Sequence, residues 1–113
     1  MKIVTIKTKF DFRKLSINGK KYRLAFATLL CCPTENLGVR IAFAVSKRLG
    51  NAVARNRIKR RCRAVFAEAI KDPSINASIS CDVLIIATTN SYNFNFKTSV
   101  CELVKFLNAR FKS

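Results

Sequence analysis

Apolar and polar residues alternate along the chain with two different periods, and the longer period predicts three helices. Apolar side chains recur every three to four residues over residues 51–70 and again over residues 96–111, which is the spacing of a helix that buries one face. Residues 11–18 fit a shorter helix, which Gly19 would end because glycine readily adopts the backbone conformation found after a helix. Three amphipathic helices are therefore expected, each with one face available to a shared core.

The shorter period predicts three strands between these helices. Residues 24–30 and 39–45 alternate larger apolar residues with small or polar ones, and residues 83–87 form an unbroken apolar run typical of a strand covered on both faces. The first ten residues are basic and are expected to be extended or frayed. The order α-β-β-α-β-α predicts a single α+β domain over residues 1–113, with helices packed on a mixed central sheet.

The helix predicted over residues 51–70 stands out because of its charge. Asn51 is a favourable N-cap, and the apolar stripe comprises Ala54, Ile58, Cys62, Val65, Phe66 and Ala69. Residues 46–63 contain no acid, and their cations are Lys47, Arg48, Arg55, Arg57, Lys59, Arg60, Arg61 and Arg63. Like-charged neighbours one turn apart would destabilise an isolated helix by about 1–2 kcal/mol in total, and cations near a helix N-terminus oppose its dipole.

A polyanionic partner would offset this electrostatic cost. The alternative is a merely solvated basic face, but such faces usually mix charges, and here no acid occurs between Asp11 and Glu35 or between Glu35 and Glu68. The helix is therefore predicted to bind nucleic acid. A net charge of +16 and a pI near 10.4 also indicate RNA, DNA or an anionic membrane surface as partner. No signal peptide is visible and the apolar runs are too short to span a membrane, so a cytoplasmic location without membrane attachment is predicted.

Candidate catalytic and metal-binding residues are scarce. The chain has five cysteines without a C-x-x-C spacing and no histidine, so reduced, mostly buried cysteines are expected instead of a zinc site or a disulfide framework. Without histidine, no Cys-His or Ser-His catalytic pair can form. Besides Asp11, acids occur singly along the chain, at Glu35, Glu68, Asp72, Asp82 and Glu102, and offer no cluster for two metal ions. No catalytic residue and no metal site is therefore predicted in this chain.

Residues 50–60, with the sequence Gly-Asn-Ala-Val-Ala-Arg-Asn-Arg-Ile-Lys-Arg, and the following Arg63 resemble the RNR signature of the bacterial ribonuclease P protein subunit. Residues 44–48, Ala-Val-Ser-Lys-Arg, also fit that family, so the match covers about 20 contiguous residues. The resemblance implies a ribonucleoprotein that removes the 5′ leader from precursor tRNA, in which the RNA subunit performs the cleavage with Mg²⁺. The partners implied for this chain are the catalytic RNA and precursor tRNA, and no protein partner is predicted.

The resemblance also assigns two sets of contact residues. The first, the leader set, would line a cleft that holds the single-stranded leader and comprises Phe12, Arg55, Lys59 and Arg63. The second, the RNA-subunit set, would face the catalytic RNA and comprises Lys47, Arg48, Asn51, Asn56, Arg57, Arg60 and Arg61. Phe12 could equally be a plain core residue and Asn51 only a helix cap, while Phe43 is expected in the core. Ser16 stands where the family usually has a second aromatic residue, which predicts weaker base stacking.

Three other functions fit parts of the sequence. A ribosomal protein would share the size and charge, but the RNR segment would then be a coincidence. A sequence-specific DNA-binding module would need a helix-turn-helix spacing, which is missing before the basic helix. A stand-alone nuclease would need the histidine or the clustered carboxylates that the chain lacks. An RNA-binding subunit of ribonuclease P therefore fits the sequence best.

Overall fold

Three α-helices and one mixed sheet make up the part of the chain that a computed structural model describes, which is residues 3–6, 9–34, 38–75 and 79–111. The strands within these residues are β1 (Ile3–Thr5), β2 (Lys20–Arg23), β3 (Thr28–Pro33), β4 (Gly38–Ala44) and β5 (Ser80–Ile86). The α-helices are α1 (Lys9–Asn18), α2 (Ala52–Ala69) and α3 (Phe96–Phe111). Two short 3₁₀ helices, Lys47–Leu49 and Thr89–Tyr92, precede α2 and α3 respectively.

The strands form one sheet in the order β1-β4-β5-β3-β2. β4 lies between β1 and β5 and is parallel to both, whereas β3 is antiparallel to β5 and to β2. A parallel pair cannot be joined by a tight turn, and here α2 lies in the connection from β4 to β5. The cation-rich helix is thereby fixed against the sheet.

The two faces of the sheet carry cores of different size. On one face, α2 and α3 cover a large core in which Phe66 packs with strand residues such as Ile41 and Ile85, all fully buried. On the other face, the shorter α1 covers a small cluster formed by Ile6, Leu15, Ala42 and Leu84. Ile41 and Ala42 are consecutive residues of β4, and the alternation of side chains along a strand therefore places the two clusters on opposite faces.

Local sequence determines where α2 begins. Gly50 adopts a φ of 131°, which favours glycine, and a Cβ at this position would lie 2.9 Å from the Cβ of Ala54. Asn51 follows as the N-cap, and its Oδ1 accepts a hydrogen bond of 2.9 Å from the amide of Ala54. The buried residues of the helix are Ile58, Cys62, Val65, Phe66 and Ala69, as the sequence predicts. The cap sets where α2 begins, and burial of this stripe in the large core sets its rotation and therefore which cations face outward.

The α+β class and the mixed sheet are confirmed, and the predicted elements occur in the predicted order, but the sequence pattern misses two strands and displaces a third. β1 has only three residues and β2, with the sequence Lys-Lys-Tyr-Arg, is a mostly exposed edge strand, so both lack the apolar alternation that indicates a strand. β3 spans Thr28–Pro33 instead of residues 24–30. The reason is a turn in which the amide of Leu24 donates a 3.0 Å hydrogen bond to the carbonyl of Ala27, while Phe26 is buried.

Within the described ranges of the chain, no helix has the length and apolar character needed to cross a membrane.

Candidate nucleic-acid interface

The outward face of α2 carries cations that no acid in the described part of the chain neutralises. The exposed cations of the helix are Arg57, Lys59, Arg60 and Arg63, and the half-buried ones are Arg55 and Arg61. The acids that do form ion pairs among the described residues have other partners, since Asp82 pairs with Arg40 and Glu68 with Lys71. The predicted cationic face is therefore present and remains available to a polyanion.

Arg63 connects one flank of α2 to the edge of the sheet. Its Nη2 donates a 3.2 Å hydrogen bond to Oγ1 of Thr5 on β1, and its guanidinium carbon lies 5.6 Å from the ring centroid of Phe43 on β4. Phe43 packs against the large core but remains half-buried, so it is a core residue, as predicted, with part of its ring near the surface. A cation over a partly exposed aromatic ring is an arrangement that can accept both a phosphate and a base.

Arg55 belongs to the same ridge, because residues four apart on a helix lie on one side. Its Nε is buried and has no hydrogen-bond partner among the described residues. Buried polar groups are normally hydrogen-bonded, so this donor marks Arg55 as a contact that a bound strand could complete. Lys59, between Arg55 and Arg63 on this ridge, is exposed.

Arg61 lies on the opposite flank, and the protein itself binds its guanidinium. Nη1 and Nη2 donate to the carbonyl oxygens of Tyr92 and Phe94, at 3.3 and 3.1 Å, and the guanidinium carbon lies 4.3 Å from the centroid of the Phe94 ring. Arg61 therefore fastens α2 to the segment that leads into α3. No such side-chain contact is found among the described residues for the other cations of the RNA-subunit set.

The remaining members of the RNA-subunit set are exposed around the start of α2: Lys47, Arg48, Asn51, Asn56, Arg57 and Arg60. Asn51 caps the helix, because its Oδ1 accepts a hydrogen bond from the amide of Ala54, and its contact with RNA stays a prediction. In the 3₁₀ helix before it, Oγ of Ser46 accepts a 3.2 Å hydrogen bond from the amide of Arg48. These predicted contact residues therefore lie in the 3₁₀ helix before α2, at its N-cap and in the first half of α2.

The structure does not place α1 on the same side of the sheet as the Arg55–Lys59–Arg63 ridge. Leu15 of α1 packs in the small cluster, whereas α2 covers the opposite face. Phe12 lies on α1, but its side chain is outside the described residues. α1, which carries Phe12, and the Arg55–Lys59–Arg63 ridge therefore belong to helices on opposite faces of the sheet, and the role of Phe12 stays a prediction.

Cysteines and acids are placed as structural groups. Cys31, Cys62 and Cys81 are buried free thiols, Cys32 is half-buried and Cys101 is exposed. Burial raises the pKa of Cys62 and of Cys81 from 9.0 to about 12, and it raises the pKa of Cys31 as well. Asp82 accepts two hydrogen bonds from Arg40, of 2.8 and 2.6 Å. Among the described side chains, no three cysteines or acids are grouped so that they could hold a metal ion.

A mixed sheet that presents a capped helix with an unneutralised cationic face defines a small basic RNA-binding protein. The Ribonuclease P family model matches residues 1–110, and the chain belongs to the ribonuclease P protein family. It is 35% identical over 117 residues to the ribonuclease P protein component of Macrococcus caseolyticus, a match that covers 96% of each chain. It is also 32% identical over 93 residues to the component of Citrifermentans bemidjiense, covering 82% of this chain and 76% of that one.

Solved structures agree with this assignment. The Staphylococcus aureus RNase P protein superposes with a TM-score of 0.72 at 28% identity, covering 99% of this chain and 100% of that one. The Thermotoga maritima RNase P protein, at 20% identity, supports the fold alone, with a TM-score of 0.74 and coverage of 96% and 98%. Membership of the family makes this chain an RNA-binding component of a ribonucleoprotein that processes tRNA, with the ribonuclease P RNA as its partner.

Proposed function

We propose that this chain acts in the cytosol by holding the ribonuclease P RNA at the N-terminal end of α2 and the 5′ leader of precursor tRNA along its other flank. The observation that carries the proposal is the division of the α2 cations. Arg63 reaches over β1 and β4 on one flank, whereas Arg57 and Arg60 are exposed elsewhere on the helix. Two different RNA strands can therefore be bound by one helix without competing for the same side chains.

The ridge formed by Arg55, Lys59 and Arg63 suits a single strand. Its three cations recur every four residues and can neutralise successive phosphates, which supply most of the affinity in RNA binding. The half-buried ring of Phe43 beneath Arg63 offers a surface on which an unpaired base can stack. A leader that also contacts Phe12 on α1 would have to pass around the β1 edge, because α1 and α2 cover opposite faces.

The chemistry of cleavage is assigned to the RNA subunit with Mg²⁺. Among the described side chains no three suitable ligands are grouped to hold a metal ion, and Asp82 is engaged by Arg40. The sequence also has no histidine to act as a general base. Binding, positioning and charge neutralisation are thus the contributions proposed for the protein.

Reconstitution tests the proposal directly. Purified protein, a bacterial ribonuclease P RNA and a precursor tRNA are mixed at a low Mg²⁺ concentration at which the RNA alone is slow. We expect the protein to restore removal of the leader, and we expect protein without the RNA to leave the precursor intact. The matched control is Lys105→Ala, which removes an exposed cation from α3 and should reconstitute normally. Cleavage at the mature 5′ end by the protein alone would overturn the assignment of the chemistry, and stable association with ribosomes instead of the small RNA would favour a ribosomal protein.

A further inference from the structure

Tyr92 is an exposed aromatic residue that the protein holds in a fixed position. It ends the 3₁₀ helix Thr89–Tyr92 and has 43% of its surface exposed. Its hydroxyl donates a hydrogen bond to the carbonyl oxygen of Leu49, and its own carbonyl accepts one from Arg61. The residue is therefore held through its side chain by the segment before α2 and through its backbone by α2 itself. An aromatic ring fixed in this way loses little further conformational freedom when a ligand packs on it.

Two grooves meet at Tyr92. The first has a volume of about 410 Å³ and is lined by Val53, Ala54 and Arg57 of α2 among other residues. The second has a volume of about 490 Å³, and its lining includes Arg48 and Thr88. Tyr92 lines both grooves, each contains at least one arginine, and none of the described residues that line them is acidic.

The chemistry of these grooves matches that of a nucleotide. Val53 has 78% of its surface exposed, so the first groove combines an open aliphatic side chain with the aromatic ring of Tyr92. Such a pair offers apolar contact to the flat face of a base, and Arg57 in the same groove can neutralise the attached phosphate. The absence of acids from both linings, together with a net charge of +16, favours a nucleic acid over an acid-bearing or neutral peptide as the occupant.

We propose that Tyr92 is a stacking platform for an unpaired nucleotide of the ribonuclease P RNA, with Arg57 binding the phosphate of that nucleotide. The site rests on the proposed function and deepens it, since Arg57 and Arg48 belong to the set of residues proposed to contact the RNA subunit. It is separate from the leader ridge, because Arg63 lies on the flank that faces β1. The cations of α2 would then bind phosphates of the RNA backbone, and Tyr92 would stack on an unpaired base next to them.

The chain offers a direct spectroscopic test, since it has two tyrosines and no tryptophan. Tyr22→Phe leaves Tyr92 as the only strong fluorophore and keeps an aromatic ring at position 22, which packs edge-on against Phe106 at 5.0 Å. This variant is titrated with oligouridylate, and with an oligomer of the same length in which the bases are removed. Because a stacked base quenches tyrosine, we expect oligouridylate to quench the emission, after correction for RNA absorbance, and the abasic oligomer to bind without quenching. Equal emission with both oligomers would overturn the proposal.

Substitution of Tyr92 provides the second measurement. Tyr92→Phe keeps the ring but loses the hydrogen bond to Leu49, so its affinity for the ribonuclease P RNA should fall by less than that of Tyr92→Leu, which should lose about 5- to 150-fold, the range for one stacked base. The dependence of affinity on salt should be the same for both variants, since no phosphate contact is removed. The proposal would be overturned if the two variants bound the RNA with equal affinity, whether both kept the affinity of the unsubstituted protein or both lost it.

A failure of the stacking proposal can be distinguished from a failure of the proposed function. If Tyr22→Phe protein supports removal of the leader but the emission of Tyr92 does not respond to bases, the stacking platform is wrong and the proposed function stands. If the unsubstituted protein does not support removal of the leader at all, the proposed function fails. Should Tyr92→Leu fail to fold, the fluorescence titration of the Tyr22→Phe protein still decides the matter.

Discussion

α2 and α3 resemble each other in their N-caps and buried faces and differ in the charge of their solvent-facing residues. Each begins at an asparagine whose Oδ1 accepts a 2.9 Å hydrogen bond from the amide three residues on, Asn51 for α2 and Asn95 for α3. Each buries apolar residues in the same large core, on the same face of the sheet. Their charges differ, however, since α2 has six cations and a single acid, whereas α3 has three cations and one acid, Glu102.

This difference shows which parts of a helix its fold determines. The caps and the buried stripe suffice to place either helix, so the outward face is free to follow another requirement. In α3 that face includes Glu102, whose carboxylate accepts a 2.8 Å hydrogen bond from the amide of Ala25, an ordinary structural contact. In α2 the outward face retains like-charged neighbours that destabilise the helix by about 1–2 kcal/mol in isolation. A cost of that kind is consistent with selection for binding an anion.

The largest effects are expected from the buried faces, where the two helices should behave alike. Phe66 of α2 and Leu107 of α3 are both fully buried in the large core. Phe66→Ala should reduce the free energy of unfolding by about 3–5 kcal/mol and Leu107→Ala by about 2–5 kcal/mol, through lost burial and the cavity left behind. Denaturant unfolding followed by circular dichroism measures both. A cost below 1 kcal/mol for only one of them would show that the two helices do not share one core.

A smaller effect should separate the two cysteines of these helices. Cys62 of α2 is buried and its pKa is raised from 9.0 to about 12, whereas Cys101 of α3 is exposed. Above pH 9 the unfolded chain releases the thiol proton of Cys62 and the native protein retains it, so this thiol lowers stability as pH rises from about 9 towards 12.

The measurement is the difference in unfolding free energy between the unsubstituted protein and Cys62→Ala. This difference should become smaller by about 1.4 kcal/mol between pH 8 and pH 10. The reason is that, above the pKa of the thiol in the unfolded chain, stability falls by 1.36 kcal/mol for each pH unit. Cys101→Ala is the control for loss of an exposed thiol, and it should lower the free energy of unfolding by less than Cys62→Ala does. RNA binding should survive both substitutions, and its loss on adding a chelator or a reductant would reveal a zinc or disulfide role.

The sequence predicts the large helices well because their signal is long. α2 and α3 each contain several turns of apolar spacing, and this repetition outweighs single exceptions. β1 and β2 contain three and four residues, too few for alternation to be recognised. At Phe26 the error is the opposite one, since a turn residue is predicted to belong to a strand. Phe26 is apolar and buried, and in the sequence it therefore looks like part of the strand that follows.

The candidate site was predictable in its charges but not in its contacts. The cations of α2 are visible in the sequence as a run without acids, and the RNR signature identifies them further. The bonds of Arg61 to Tyr92 and Phe94 join residues that are 31 and 33 positions apart, and no local pattern contains that information. The position of Phe43 under Arg63 depends in the same way on how α2 crosses the sheet.

The smallest expected effects on stability, and the most informative for function, come from single cations on the outward faces. Lys59→Ala, Arg60→Ala and the α3 control Lys105→Ala all remove exposed side chains, so each should change the free energy of unfolding by less than about 0.5 kcal/mol. Their effects on RNA binding should nevertheless differ, because only α2 is proposed to bind RNA.

Lys59→Ala should weaken binding of precursor tRNA more than binding of mature tRNA, because only the precursor has a leader for the ridge. It should also lower the slope of log affinity against log salt by roughly 0.7, the value for one phosphate contact to a single strand. Arg60→Ala should instead weaken assembly with the ribonuclease P RNA, with little difference between the two tRNA forms, and Lys105→Ala should change neither. Salt titrations of each variant with both tRNA forms measure these quantities. If Lys59→Ala leaves precursor affinity and its salt slope unchanged while Arg60→Ala alters both, the leader lies on the other side of α2, and the assignment of its two flanks must be exchanged.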